Sequence, residues 1–335
     1  MIIDEAHQVP ELLPALKSHV DRHPGFKAIL SGSANLLLMR NVSESLAGRA
    51  AYLDLLPFAV GEWDELPRPT ILDTLLAGDS PPEGSLPARD PSDEIARGLL
   101  PPARLHPRPE VWWEAYVRTY LERDLRDLSN VSSLPDFRRL MELLALHGGQ
   151  VLGETELSRR LGISQPTVHR WANLLEVSNL LLRVPAFAVN RGKRLTKRPK
   201  VYLADPGLTS FLCGLYSAED VVASREYGAL FENLVLHHLR VLASLTSPRT
   251  NLFHWRTSDA KEVDFVLTHG RRMLAIECKA TTRPRTTDAR HLRLFRSLHP
   301  ECALGVVVHA GDTVENLGDG ILALPWSALA GTIVR

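Results

Sequence analysis

Four residues in the last third of the chain have types and spacing suited to metal-assisted phosphodiester chemistry. Glu277 and Lys279 lie two positions apart in "LAIECKA". On a strand that spacing puts both on one face, with Ile276 and Cys278 on the opposite, apolar side. Asp264 lies one hairpin earlier, in "KEVDFVL", and can meet Glu277 across neighbouring strands. Two carboxylates with a backbone carbonyl make a hard, oxygen-rich Mg2+ site. Such an ion activates water for cleavage, while Lys279 stabilises developing charge. Glu232, in "GALFENLVLHHL", adds a ligand or positions the lysine. The alternative is a buried Glu–Lys pair without chemistry, because a D…ExK pattern by itself is short and common.

A second acidic pair lies in "MIIDEAHQVP". A buried strand of this shape delivers Asp4 to a Mg2+-water shell and Glu5 to a nucleophilic water. That is the Walker B arrangement, which phosphoryl transfer needs at the strand's carboxyl end. "SGSAN" ends the next strand, where Asn35 can orient the attacking water. Arg49, in "SESLAGR", can meet phosphate charge from a neighbouring subunit. The alternative is a strand end with two solvated acids and a solvated arginine. No GxxxxGK followed by Ser or Thr occurs in the 335 residues. That loop supplies the N–H groups and the lysine that hold phosphates. The expectation is weak ATP binding or none.

The third constellation is "ETELSRRLGISQPTVHRWANLLEVSNLL", which reads as a helix-turn-helix. Ser164 suits an N-cap, and Pro166 is tolerated in the first helical turn. Gln165, Thr167, His169 and Arg170 then face a groove while Val168, Trp171 and Leu174 pack inward. The next loop, "NRGKRLTKRPK", carries Arg191, Lys193, Arg194, Lys197, Arg198 and Lys200 without an acid. A wing lying on DNA phosphates needs such charge. Two bland readings stand beside this one: a protein-interaction module, and a solvated hairpin edge guarded by charge.

These residues need elements to hold them. The N-terminal block alternates strand ("MIID"), helix, strand ("FKAILSGSAN") and helix start, then strand-like "AAYLDLLPF". Residues 66–109 are Pro-rich and irregular and read as a linker with short helical pieces. Beyond it come helices in "EVWWEAYVRTYLERDLRDLSNV" and "DFRRLMELLALHGG", the latter closed by glycines. Strands "LLRVPAFAV" and "RPKVYLAD" flank the basic loop. The remainder reads helix ("REYGALFENLVLHHLRVLASL"), three strands, helix ("TDARHLRLFRSLH") and strands "ALGVVVHAG" and "GILALP". His237 and His238 are adjacent on a helix and cannot both face one metal, so helix surface or core is their expected place.

Bulk composition narrows the function classes. Lys+Arg and Asp+Glu are equal at 39 each, so nucleic-acid affinity must come from local patches. Cys213, Cys278 and Cys302 are widely spaced, which argues against a disulfide framework or zinc site and fits a reducing cytoplasm. No apolar run is long enough for a membrane span, and the start does not read as a signal peptide.

Taken together, "IIDEAHQVPELLPALKSHVD", "LSGSANLLL", "SESLAGR", "YLERDL" and "FENLVLHHL…EVDFVL…ECKA" resemble a prokaryotic family. It consists of AAA-type P-loop ATPases with a C-terminal domain of unknown function (DUF4143). The resemblance implies an α/β chain in three parts: a partial P-loop ATPase sheet (1–65), a helical and winged-helix part (110–205), and a restriction-endonuclease-like, PD-(D/E)xK part (206–335). It aligns Asp4 and Glu5 with the Walker B acids, Asn35 with the sensor region, and Asp264, Glu277 and Lys279 with the nuclease-like triad. It implies ATP and Mg2+ as cofactors, DNA as a partner and assembly through the ATPase domain. The family's P-loop strand is not in this sequence. The expectation is therefore a larger ATPase that was cut or whose start was misplaced, with residues 1–65 poorly stable alone. Three functions remain in play: a DNA-associated ATPase-family protein with an incomplete nucleotide site, a Mg2+-dependent nuclease, or a non-catalytic DNA- or protein-binding module.

Overall fold

A computed structural model describes all residues except 7–8, 10, 33–49, 120–132, 191, 193, 195–196 and 332–335. Asn35, Arg49, Arg191 and Lys193 therefore lie outside the described residues, as does the "YLERDL" segment.

Near the N-terminus, β1 (Ile2–Ile3) and β2 (Ile29–Leu30) pair in parallel, Ile2 opposite Ile29. The crossover holds α1 (Leu12–Arg22), which buries Leu13 and Leu16 and places His19 and Arg22 in its last turn. Basic residues there complement the carbonyl end of the helix dipole. Ile2 and Ile29 stay 77% and 65% exposed, although parallel strands are normally covered on both faces. The strand expected over 50–58 is absent. That stretch is irregular, pairs with no strand among the described residues, and leaves Leu53 and Leu55 almost fully exposed.

The Pro-rich stretch holds the short pieces expected of it, and they are not loose. After α2 (Val60–Trp63) come α3 (Ile71–Ala77), β3 (Gly84–Ser85), α4 (Pro91–Arg97) and α5 (Pro101–Leu105). Proline at the first helical position and an Asp90 side chain accepting the Ser92 N–H start α4. Leu72, Leu75, Leu76, Leu86, Ile95 and Leu99 all enter the largest apolar core. At about 1.5–3 kcal/mol per buried side chain, that set holds the stretch against the rest of the chain.

A helical layer follows: α6 (Pro109–Thr119), α7 (Leu134–Leu146), α8 (Glu154–Leu161) and α9 (Gln165–Val177). Ser133 caps α7, Gly162 closes α8 in the left-handed conformation, and Ser164 caps α9 through the Thr167 N–H. Their shared core contains Phe137, Leu144, Leu157, Val168, Trp171 and Leu175. The hairpin β4 (Leu181–Val184) and β5 (Lys200–Leu203) closes this layer, with Val184 opposite Lys200.

The last part begins with α10 (Pro206–Leu212), α11 (Ala218–Ala223) and α12 (Tyr227–Ser244). The main sheet then uses β6 (Asn251–Arg256), β7 (Glu262–His269), β8 (Arg272–Lys279), β9 (Cys302–His309), β10 (Thr313–Gly318) and β11 (Ile321–Pro325). Its spatial order is β3-β10-β11-β9-β8-β7-β6. β6, β7 and β8 form an antiparallel meander, whereas β8–β9 and β9–β11 are parallel. The helix α13 (Arg290–Leu298) provides the crossover between β8 and β9. It buries Leu292 and Phe295 in the core on one face, while α12 enters the core on the other. The fold is thus mixed α/β, as expected, with two strands, β10 and β3, added beyond β11. β10 and β3 were not legible as strands because neither has period-2 apolar patterning.

Candidate functional site

The candidate catalytic residues gather where α12, β5, β7 and β8 meet. On β8, Ile276 and Cys278 pack on the core beneath α12, as their spacing predicted. Glu277 and Lys279 pair with each other at 2.8 Å. The β7–β8 ladder reaches Phe265 opposite Ile276. One step further, the Asp264 side chain takes over, and its Oδ2 accepts the Cys278 N–H at 2.9 Å.

A bulge aims Asp264. Val263 and Val266 both enter the core beneath α13, while Phe265 enters the core beneath α12. Two residues three apart share one face of a strand only if an extra residue is inserted between them. The β6–β7 register shifts there, between Phe253 and Trp255. Asp264 is thereby turned toward α12 rather than toward the face of Val266.

The centre of the cluster is Lys200, the first residue of β5. It is 1% exposed. Its Nζ lies 2.9 Å from Glu232 Oε1, 3.1 Å from Asp264 Oδ1 and 2.5 Å from Glu262 Oε1. The Tyr202 hydroxyl donates to the same Glu232 oxygen at 2.5 Å. Gly149, at φ +76°, sits where a Cβ would come within 3.1 Å of that carboxylate. Its freedom to take a positive φ lets the chain turn against the charge. Arg256 reaches Glu262 at 3.5 Å.

Carboxylates outnumber the ammonium groups among them, and the electrostatics follow. Burial pushes Glu277 up to about 8, with Asp264's charge adding to the rise and Lys279 opposing it. Burial and Asp264 likewise push Glu232 up to about 7 against the pull of Lys200. Burial would lower the Lys200 ammonium, but Glu232, Asp264, Tyr202 and Glu262 outweigh it and hold it well above its ordinary value. Glu277 Oε2 is buried with no hydrogen-bond partner.

This donor set does not fit a divalent ion as it is arranged. Among the described residues no three His, Cys, Asp or Glu side chains are grouped to hold a metal. An ammonium already satisfies Glu232 and Asp264. Glu262, Tyr202 and Lys200 were not expected here. Lys200 lies 64 positions before Asp264 and read as part of a basic run, so no local signal marked it. Glu262, two before Asp264 on one strand, could have been found by period-2 reading.

The helix-turn-helix residues separate into a buried and an exposed set. Val168, Trp171 and Leu174 are buried as expected. Gln165, His169 and Arg170 are exposed, and Thr167 is half-buried. His169 is tied to Glu154 at 2.9 Å and to Asn173 at 2.9 Å. The described basic residues of the loop do not form one patch. Lys200 is consumed by the carboxylates, which leaves it no face for a phosphate and corrects its assignment to the wing. Arg194 donates to the Ala188 carbonyl at 2.5 Å and stacks over Phe187 and Phe253, 4.9 Å from each ring. Lys197 and Arg198 remain exposed.

At the N-terminus, the Ser31 hydroxyl donates to Asp4, so the ends of β1 and β2 meet through the candidate metal-binding acid. Glu5 takes φ +49°, an unfavourable region for a non-glycine residue. The phosphate-cradling loop is missing from these residues, so they do not by themselves fit a triphosphate. His237 and His238 are in the core, 1% exposed each.

Residues 1–63 match the model of an AAA domain. Residues 89–219 match a domain of unknown function (DUF8612), and residues 227–329 match another, DUF4143. The chain is 31% identical over 335 positions to an uncharacterized protein of Mycobacterium bovis and, equally, to one of Mycobacterium tuberculosis. The alignment covers 98% of this chain and 69% of each relative. No solved structure matches the chain. No helix among the described residues is long and apolar enough to cross a membrane.

Proposed function

The chain belongs to the family of these mycobacterial proteins, with an AAA domain at its N-terminus and DUF4143 at its C-terminus, and from that premise we propose an ATP-binding AAA-type protein that acts on DNA. The nucleotide site is represented here by its Walker B half, Asp4 and Glu5, and the 335 residues bring no phosphate loop to it. DNA contact is assigned to a winged helix formed by α8, α9 and the β4–β5 hairpin, and the C-terminal sheet is read as PD-(D/E)xK-like.

One observation carries the DNA reading. α9 buries Val168, Trp171 and Leu174 and leaves Gln165, His169 and Arg170 exposed, on the same layer as exposed Lys197 and Arg198. A helix held by its apolar face, with a flanking basic loop, is what a major-groove reader needs. The test is fluorescence anisotropy on duplex DNA over a salt series. Arg170→Ala/Lys197→Ala/Arg198→Ala should weaken binding and flatten the salt dependence by about one unit of slope per lost phosphate contact. Identical curves for the two proteins would leave a protein-interaction module as the better reading.

Asp264, Glu277 and Lys279 support a nuclease as the second reading, since they converge at the end of β8. No cleavage step is assigned, because Lys200 and not a metal satisfies Asp264. A Mg2+-dependent cleavage assay with Asp264→Asn, which keeps an acceptor for the Cys278 N–H, as control decides it.

A further inference from the structure

We infer that the loop between β8 and α13, residues 280–289, forms with Arg290 a second nucleic-acid contact, a fixed shelf of arginines that grips the phosphate backbone of a bound duplex. This rests on the DNA reading above and extends it to a surface that α9 and the wing loop do not contain.

Charge is the first observation. Arg283, Arg285 and Arg290 are exposed within the run "TTRPRTTDAR". Among the described residues none of the three forms an ion pair, and Arg290 reaches only the His291 ring at 3.2 Å. Arg293, on the next turn of α13, is by contrast bound to Asp319 at 3.0 Å. The nearby acids have other partners. Asp288 accepts the Arg285 N–H at 2.7 Å, and Asp312 accepts the Thr313 hydroxyl at 3.0 Å.

Rigidity is the second. The Ala310 N–H donates to the Thr281 carbonyl at 2.9 Å, and Arg293 donates to the Thr286 carbonyl at 2.6 Å. Gly311 packs so closely that a Cβ there would meet the Thr282 carbonyl oxygen at 2.1 Å. Ala289 is fully buried and anchors the 3-10 turn Thr286–Ala289. Arginines on a loop tied at both ends lose little further backbone freedom when they bind.

Position is the third. β8 runs into the loop directly from Lys279. Asp264 joins the Cys278 N–H to the Lys200 ammonium, so this loop and the wing loop flank one carboxylate cluster. Exposed Lys197 and Arg198 lie on the wing side, and the three arginines follow β8 on the other. Phosphates gripped on both sides would hold a duplex across the end of β8. A lipid surface fits less well, because no large apolar side chain of the loop is exposed to insert into it.

The experiment is fluorescence anisotropy of the full chain on two duplexes of unrelated sequence, over a salt series. Arg283→Ala/Arg285→Ala/Arg290→Ala should bind both duplexes about tenfold more weakly at low salt and flatten the salt slope by about two to three units. The loss should be equal for the two sequences, since phosphate contacts carry no sequence information. Lysine at the same three positions should keep most of the wild-type slope, because the slope counts charges. If wild type binds and the alanine variant matches it, the inference is overturned while the α9 reading stands. A lysine variant as weak as the alanine variant would also overturn it, since charge would not be what the loop supplies. Absence of duplex binding by wild type would sink the DNA reading, and this inference with it. Co-sedimentation with phosphatidylserine/phosphatidylcholine vesicles that the alanine variant loses, with duplex binding unchanged, would assign the loop to a lipid surface instead.

Discussion

Asp264 Oδ2 accepts the backbone N–H of Cys278 at 2.9 Å, so a side chain on β7 continues the β7–β8 ladder where backbone pairing stops. The other oxygen of the same carboxylate lies 3.1 Å from Lys200 Nζ. A single residue thus joins the two central strands of the cluster to the hairpin.

Asp264→Ala should therefore be strongly destabilising. It removes one of the carboxylates balancing a buried ammonium and orphans a backbone N–H. Removing one partner of a buried ion pair costs about 3–5 kcal/mol. Asp264→Asn keeps an acceptor for Cys278 and should cost less. Urea denaturation monitored by Trp fluorescence separates them; equal stability of all three proteins would contradict the arrangement.

The stability that His238 contributes should fall on mild acidification, while proton uptake by Glu232 and Glu277, whose carboxyls are raised in the fold, acts in the opposite direction. His238 is buried, receives the Val60 N–H at Nε2 (3.2 Å) and pairs Nδ1 with the Leu234 carbonyl (2.9 Å), so the neutral ring fills both roles. Burial pushes it down from 6.5 to about 4. The unfolded chain takes up its proton first, so stability is full above pH 6.5 and is lost as pH falls toward 4. The loss from this ring is about 2 kcal/mol between about pH 7 and pH 5. Burial pushes His237 down as well, adding in the same direction. His238→Gln should show a shallower decline of melting temperature with pH than wild type.

The α8–α9 unit should respond in graded fashion. Trp171 is 1% exposed and meets Phe137 edge-on at 5.4 Å. Trp171→Ala should cost about 3–5 kcal/mol. Ser164→Ala removes the cap on Thr167 N–H and should cost about 1 kcal/mol. Chemical denaturation curves check the order; a Ser164→Ala loss as large as that of Trp171→Ala would mean the core is not what holds α9.

Nucleotide affinity of the 335 residues should be undetectable at low micromolar ATP. Asp4 and Glu5 supply a metal-side half-site, but the backbone N–H cradle and lysine that grip phosphates are not among these residues. Titration with a fluorescent ATP analogue tests this, and low-micromolar binding would show that another segment supplies the cradle.

Several features followed from local rules and were readable directly. Ser164 and Pro166 set the start of α9, period 3.6 put Val168, Trp171 and Leu174 inside, and i,i+2 spacing joined Glu277 to Lys279. The mixed α/β order of elements from Tyr227 onward came from the same alternation of periods. Each of these depends on residues a few positions apart, and backbone geometry converts that spacing into a shared face.

Other features depend on distant segments and had no such signal. The leucines of the Pro-rich stretch are core residues because the main sheet offers an apolar face to cover. Residues 50–58 have a strand-like composition but no described neighbour to pair with. Asp264 turns toward α12 only because the β6–β7 pairing is bulged. Lys200, one of six basic residues on a loop, differs from Lys197 three positions earlier only in where the tertiary fold puts it. Spacing along the chain determines which side chains share a face. Which charge is buried beside which carboxylate is decided when hairpin, helix and sheet close on one another, and the cost of leaving an ion unpaired makes that choice sharp.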